Sequence, residues 1–167
     1  YPANSGMMPR GLPAFDAEPV PGYRYDPDAA AQLLAAAGFP GGKGLPILEL
    51  NSNPNYQPVM EFVQKSWERI GVTLRIRNMD GGTLRDKAKK GEIDLWRASW
   101  IADYPDGENY LGLFFSGNVP PNGANRMRYQ TSEFDSLYNT ALAATDDSLQ
   151  HALYQQMERT MLADAPV

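Results

Sequence analysis

The chain predicts an α/β fold: a largely parallel sheet flanked by helices. Three observations carry that expectation. Apolar residues alternate at period two over Leu45–Leu50 and again over Val72–Met79, and an apolar run from Ile93 to Ile101 offers a third strand. A stretch with helical spacing separates the first two, so strand, helix and strand follow within about 35 residues, the span of a βαβ unit. Glycines stand where each helical stretch must stop, at Gly38, Gly71 and Gly91. At 167 residues with 43% hydrophobic side chains, the chain suits one domain with a real core.

Residues 1–25 contain Pro2, Pro9, Pro13, Pro19 and Pro21 with Gly6, Gly11 and Gly22, which no regular helix or central strand accommodates. This lead-in should run extended over a surface, pinned by Met7, Met8, Phe15, Tyr23 and Tyr25; such anchors argue against disorder. Residues 26–167 then read as one α/β lobe. Asp26 caps a helix that begins at Pro27, with Asp28 in its first turn and Ala30, Leu33, Leu34 and Ala37 as its apolar stripe. After the turn Gly41-Gly42-Lys43-Gly44 and the first strand, Asn51-Ser52-Asn53-Pro54-Asn55 forms a polar loop. The second helix, from Pro58, faces inward through Val59, Phe62, Val63, Trp67 and Ile70. Beyond the second strand, Thr83 with Asp86 reads as a capping box for a short helix to Lys90. The third strand is expected at the centre of the sheet.

Tyr110–Phe115 is apolar and short, and it should pack the exit of the preceding loop. Ser116–Asn125, with Gly117, Pro120, Pro121 and Gly123, reads as a long surface loop, and Met127–Tyr129 as a short strand. Two helices finish the chain. Ser132 with Asp135 caps the first, with Phe134, Leu137, Tyr138, Ala141 and Leu142 as its stripe. Asp147 with Gln150 starts the second, with Leu149, Leu153, Met157 and Met161 facing inward.

Composition excludes several functions. Net charge is −5 and the basic residues are scattered singly, so no stripe tracks a phosphate backbone and nucleic acid is not an expected partner. Without cysteine there are no disulfides and no thiolate chemistry. No apolar run approaches a membrane span and no leader peptide opens the chain; both ends read as cuts from a longer protein. The only histidine, His151, has no spaced partner, so no metal is expected. Asp103, Asp106 and Glu108 suggest a cation loop, but Pro105 interrupts that geometry. Ser99 lacks both a nucleophile turn and a histidine base. Asp103 and Glu108 could in principle cleave a glycoside, although their spacing equals that of an ordinary acidic turn. Gly41–Gly44 precedes a strand instead of opening a helix, which is not the form of a phosphate loop. No cofactor is called for.

What remains is a binding surface along Asp94–Asn109. Arg97 lies within the apolar run, Asp103 follows it, and Pro105 and Gly107 force a turn. Ligands of open α/β sheets bind beyond the carboxyl ends of strands. Arg97 and Asp103 offer opposite charges, Trp100 and Tyr104 aromatic faces, and Asn51, Ser52, Asn53 and Asn55 polar groups from a neighbouring strand end. A zwitterionic, partly apolar ligand suits them, with a carboxylate for the guanidinium and an ammonium for Asp103. An ion pair for Arg97 and core packing for Trp100 and Tyr104 account for the same residues without a ligand.

Tyr25-Asp26-Pro27, Leu33-Leu34, Ala37-Gly38-Phe39-Pro40 and Asn51–Asn55 occur in order with Trp67, Ile70-Gly71-Val72 and Lys90–Asp94. Arg97-Ala98-Ser99-Trp100-Ile101-Ala102-Asp103-Tyr104-Pro105 follows, then Ser132–Asp135 and Ala163–Val167. In that order and spacing the chain resembles the C-terminal part of the family 5 solute-binding proteins, the oligopeptide and dipeptide receptors of ABC importers. The resemblance implies a periplasmic-binding-protein-like lobe, one of two that close on a ligand, and a role in capturing peptides for import without catalysis. It implies an extracytoplasmic, cell-surface location and a permease partner, with membrane contact only through that permease or a lipid anchor. By the same match Asp103 meets a peptide's ammonium group, Arg97 can meet a carboxylate, and Trp100 lines side-chain pockets. The sequence departs from the pattern at Gly107, where peptide receptors often carry Pro or another residue. The family also holds receptors for nickel, sugars and opines, and the same fold senses ligands in transcriptional regulators; these, and a carboxylate hydrolase built on the Asp103 loop, are the alternatives.

Overall fold

The computed structural model describes residues 6–15 and 25–165. Its contacts divide the chain into two compact units, Arg24–Ser99 and Tyr1–Tyr23 with Trp100–Val167. The sequence reading draws its boundary at residue 25; the contacts draw a further one after Ser99. The cause is the third strand, which ends early, so that the chain leaves the sheet and everything from Trp100 onward packs with helices instead.

In the first unit, α1 (Pro27–Ala36) starts as expected, with Asp26 Oδ1 accepting from the Ala29 N–H at 2.8 Å. Its stripe does not form. Leu34 packs against the sheet core, while Leu33 is 71% exposed. The first strand, β1 (Leu48–Ser52), sits later than the alternation predicts and takes in Asn51 and Ser52, both buried. Helix α2 (Gln57–Glu68) buries Met60 and leans Val63 and Trp67 on the core, with Ile70 just beyond it. Val59 and Phe62, expected inside, lie outside, Phe62 at 68% exposure. With apolar residues at 59, 60, 62, 63 and 67, more than one phase of a 3.6-residue repeat fits, and the longer Met60 side chain wins the core.

Strand β2 (Leu74–Asn78) pairs with β1 in parallel, as does β3 (Leu95–Trp96), giving the order β2-β1-β3. The central strand is therefore β1 rather than the third, and the Ile93–Ile101 run supplies only two strand residues. Between them, α3 (Gly81–Lys90) begins earlier than the Thr83 box suggests. Asp80 is its cap, accepting from the N–H groups of Gly82 (2.9 Å) and Thr83 (3.0 Å) and from the Thr83 hydroxyl (2.6 Å). Those bonds hold the Asp80 carboxyl below its ordinary pKa. Gly91 ends α3 in the left-handed conformation, φ 72°. The loops before β1 and β2 cross at Gly42 and Gly71: a Cβ on Gly42 would lie 1.9 Å from the Gly71 carbonyl oxygen, and one on Gly71 would lie 2.0 Å from that of Gly41.

The second unit has a larger core. Helices α5 (Ser132–Ala143) and α6 (Asp147–Asp164) pack together over α4 (Glu108–Leu111) and the segment after it. Leu111, Phe114, Phe134, Met157 and Met161 are fully buried, and Phe114, Tyr129 and Phe134 meet edge to face. The expected cap residues sit one position late. Thr131 caps α5, its Oγ1 accepting from the Phe134 N–H, and Asp146 caps α6, accepting from the Leu149 N–H. Asp135 instead receives the N–H and hydroxyl of Ser116. The inward face of α6 is Tyr154, Met157, Glu158 and Met161, with Leu153 partly covered; Leu149 is exposed, as is Leu142 of α5.

Within Tyr110–Phe115, Leu111, Leu113 and Phe114 are buried in this core, while Tyr110 and Phe115 are partly covered. Met127–Tyr129 forms no strand, since Arg128 takes φ 56° and Asn125, wholly buried, donates to the carbonyls of Phe115 (3.0 Å) and Tyr129 (2.8 Å). In the lead-in, residues 6–15 fold in turns instead of running extended, and Met8 is buried, its N–H donating to Glu158 Oε1 at 2.9 Å. Met7 packs at the edge of that core, whereas Tyr25 is exposed; the expected anchor Tyr23 lies outside the described residues.

Candidate functional site

A parallel sheet brings the carboxyl ends of its strands to one edge. In the first unit that edge carries Ser52 of β1 and Trp96 of β3, with Asn53, Asn55, Tyr56 and Arg97 just beyond. Asn51 and Ser52 drop out as ligand groups. The Asn51 amide donates to the carbonyls of Glu49 (3.1 Å) and Leu95 (3.0 Å), and the Ser52 hydroxyl to that of Asn53 (3.4 Å). Asn53 shapes the turn, its Oδ1 accepting from the Asn55 N–H at 2.9 Å, while the Asn55 side chain is exposed.

Arg97 extends the ladder by one step, its N–H donating to the Asn51 carbonyl at 2.9 Å. Its guanidinium lies over the Tyr56 ring, 3.5 Å from the centroid, and Nη1 donates to Ser99 Oγ at 3.2 Å. No carboxylate among the described residues pairs with it, so the salt bridge that would have explained Arg97 without a ligand is not made. A guanidinium stacked on a ring keeps its in-plane N–H groups for a carboxylate. Tyr56 was not foreseen; its only mark in the sequence is its place after an Asn-Pro-Asn turn.

In the second unit the loop from Trp100 to Gly107 holds the other charge. The Trp100 Nε1–H donates to Asn109 Oδ1 at 2.8 Å, and the same oxygen accepts the Asp103 N–H at 3.3 Å. Asn109 is buried at the start of α4. The Asp103 side chain is exposed, and its carboxylate makes no hydrogen bond or ion pair with any described residue. Tyr104, half exposed, donates its hydroxyl to one oxygen of Glu108, and Tyr138 donates to the other. Tyr138 also stacks on Phe115, centroids 4.4 Å apart. The bond to Glu108 raises the pKa of the Tyr104 phenol, and burial, then Glu108, raises that of Tyr138. Glu108 thus accepts from two tyrosines at once. Asp106 Oδ1 accepts the Glu108 N–H at 2.8 Å. Gly107 is wedged under the core: a Cβ there would approach Tyr154 to 2.9 Å and Met8 Sδ to 3.0 Å.

Trp100, Asp103 and Tyr104 therefore share one loop, and Arg97, Asn53 and Asn55 share one sheet edge. Among the described residues no group of three histidines or carboxylates could hold a metal ion, and no helix is long and apolar enough to cross a membrane.

Among the described residues Asp103 is a carboxylate without a cation in one unit, beside Trp100 that packs partly on the core and Tyr104 that is half exposed, and Arg97 is a guanidinium without a carboxylate in the other. The chain belongs to the bacterial extracellular solute-binding proteins, family 5, whose middle region matches residues 1–122. It is 34% identical over 150 residues to heme-binding protein A of Haemophilus influenzae, covering 86% of this chain and 27% of that protein. It is 27% identical over 160 residues to the probable D,D-dipeptide-binding periplasmic protein DdpA of Escherichia coli, covering 96% of this chain and 31% of the relative. The Escherichia coli murein tripeptide binding protein MppA superposes with a TM-score of 0.83 at 27% identity, over 95% of this chain and 31% of that one. The chain spans about three tenths of the length of these relatives, and the α/β fold with a parallel sheet is theirs.

Proposed function

We propose that residues 26–167 form a ligand-binding lobe, with 1–25 as its lead-in, in the substrate-binding component of an ABC importer. Its cargo is a peptide, and its place is outside the cytoplasmic membrane beside the permease. Asp103 receives the peptide's ammonium group. Arg97 receives a carboxylate, Trp100 and Tyr104 supply apolar surface, and Asn53 and Asn55 supply polar groups. The observation that supports this reading is the exposed Asp103 carboxylate, without a partner among the described residues, on a loop whose backbone is tied down. A carboxylate without a protein cation is open to a charge-assisted hydrogen bond from an ammonium group.

The test uses the full-length gene product. Asp103→Ala should cost about 2–5 kcal/mol of affinity for a free-amine peptide if the ion pair is desolvated, and N-acetylated peptides should bind the wild type poorly. Calorimetry showing equal affinity in the two proteins would end the assignment. A non-peptide solute is the second reading, prompted by the name of the 34% identical relative. Native mass spectrometry of protein purified from cells separates the two by the mass of what it retains.

A further inference from the structure

We infer that Asn109 is the positioning residue of the candidate site: its one carboxamide oxygen sets both the Trp100 indole and the backbone that carries Asp103. The inference rests on the reading of Asp103 and Trp100 as ligand groups. A buried amide stabilises its surroundings only when hydrogen-bonded. Asn109 is 8% exposed, and two donors from the neighbouring loop converge on its oxygen, the Trp100 Nε1–H at 2.8 Å and the Asp103 N–H at 3.3 Å. They come from the two ends of a four-residue stretch, so one acceptor fixes the indole plane and the course of the chain together.

Two consequences follow for the ligand. The indole N–H is spent inside the protein, so Trp100 offers a ring face, suited to an apolar or cationic group, and no donor. The Asp103 backbone is held by that bond while its side chain is exposed and bonds to no described residue, so the main chain there needs no ordering on binding. Asn109 itself need touch no ligand; it acts through Trp100 and Asp103.

The experiment uses the full-length gene product with two variants. Asn109→Leu keeps the size and removes the acceptor; Asn109→Asp keeps an acceptor oxygen in place. The readouts are the Trp100 indole N–H resonance, told apart from every other indole by its loss in Trp100→Phe, and calorimetric affinity for trialanine. Asn109→Leu should shift that resonance toward an unbonded indole and weaken trialanine binding about ten-fold or more, the worth of two hydrogen bonds. Asn109→Asp should restore both. An unmoved resonance in Asn109→Leu, unchanged affinity despite a moved resonance, or failure of Asn109→Asp to restore either would overturn the inference. Asn109→Ala gives the same comparison if the leucine variant does not fold. If the wild type binds no trialanine, the peptide reading falls, and Asn109 is then judged on the indole resonance and on hydrogen exchange at the Asp103 amide. Both unchanged in Asn109→Leu would sink it.

Discussion

The two units present their charges in opposite ways. Asp103 stands on a loop pinned by a buried amide over a core of rings and methionines, with Glu108 clamped between two tyrosines below it. Arg97 stands at the edge of a short sheet whose core is small and aliphatic, and it is steadied by a ring face and one serine hydroxyl. A cation–π contact at an exposed site is worth about 0.5–1 kcal/mol, little against the rotamer freedom of a guanidinium. In one unit the backbone that carries the charge is pinned; in the other the charged group itself makes the contacts.

The largest effect should come from the aromatic core. Phe134→Ala, at a side chain with no exposure, should cost about 3–5 kcal/mol in urea unfolding. Hydrogen exchange read by segment sharpens the contrast: protection should fall over residues 108–164 and hold over 48–78. Equal loss in both would mean that the units unfold as one and would break the comparison.

Leu74→Ala, 3% exposed in the sheet core, should cost about 2–3 kcal/mol, because its partly covered surroundings can relax into the space. Its loss of protection should fall on the other unit. A cost above that of Phe134→Ala would invert the ranking of the two cores.

A graded effect belongs to the aromatic unit. Burial, then its bond to Asp164, pushes the Tyr129 phenol up to about 12, and burial also raises Tyr138 and Tyr154. A phenol whose folded pKa lies above its unfolded value near 10 contributes stability that is complete below about pH 10 and lost as pH rises through the folded value. Thermal midpoints should therefore hold up to about pH 10 and fall above it, and Tyr129→Phe should flatten the fall. An unchanged slope in that variant would remove Tyr129 from the account.

The smallest effect tests the outside of the sheet unit. Phe62→Ala should change stability by less than about 0.5 kcal/mol, since the ring is 68% exposed. A cost near that of Leu74→Ala would show that the ring is covered in solution.

The sequence made local chemistry legible and left phase and partnership hidden. Asp26, Pro27 and Gly91 act where they stand because caps and stops depend on a few neighbouring residues. The βα alternation and parallel pairing were also readable. What failed was the choice between adjacent helical faces: Met60 against Val59, or Tyr154 against Leu149. Apolar residues on both faces leave that choice to tertiary packing. Asn51 and Ser52 looked like loop because polar side chains in a buried strand find carbonyl partners that only the fold supplies. Asp103 and Arg97 were visible as charges out of place. Asn109 and Tyr56 were not, since their roles exist only once Trp100, Asp103 and Arg97 have come to them.

The crossing of Gly42 and Gly71 has an evolutionary consequence. In each case the obstacle to a side chain is the opposite turn's main-chain carbonyl, 1.9 Å and 2.0 Å away, and every amino acid carries that group. A change at one glycine therefore cannot be repaired by a change at the other, unlike a core pair that trades volume back and forth. The two positions cannot drift together through a tolerated intermediate. Lineages can leave this arrangement only by lengthening or shortening one of the turns, so variation here should come as insertions and deletions instead of substitutions.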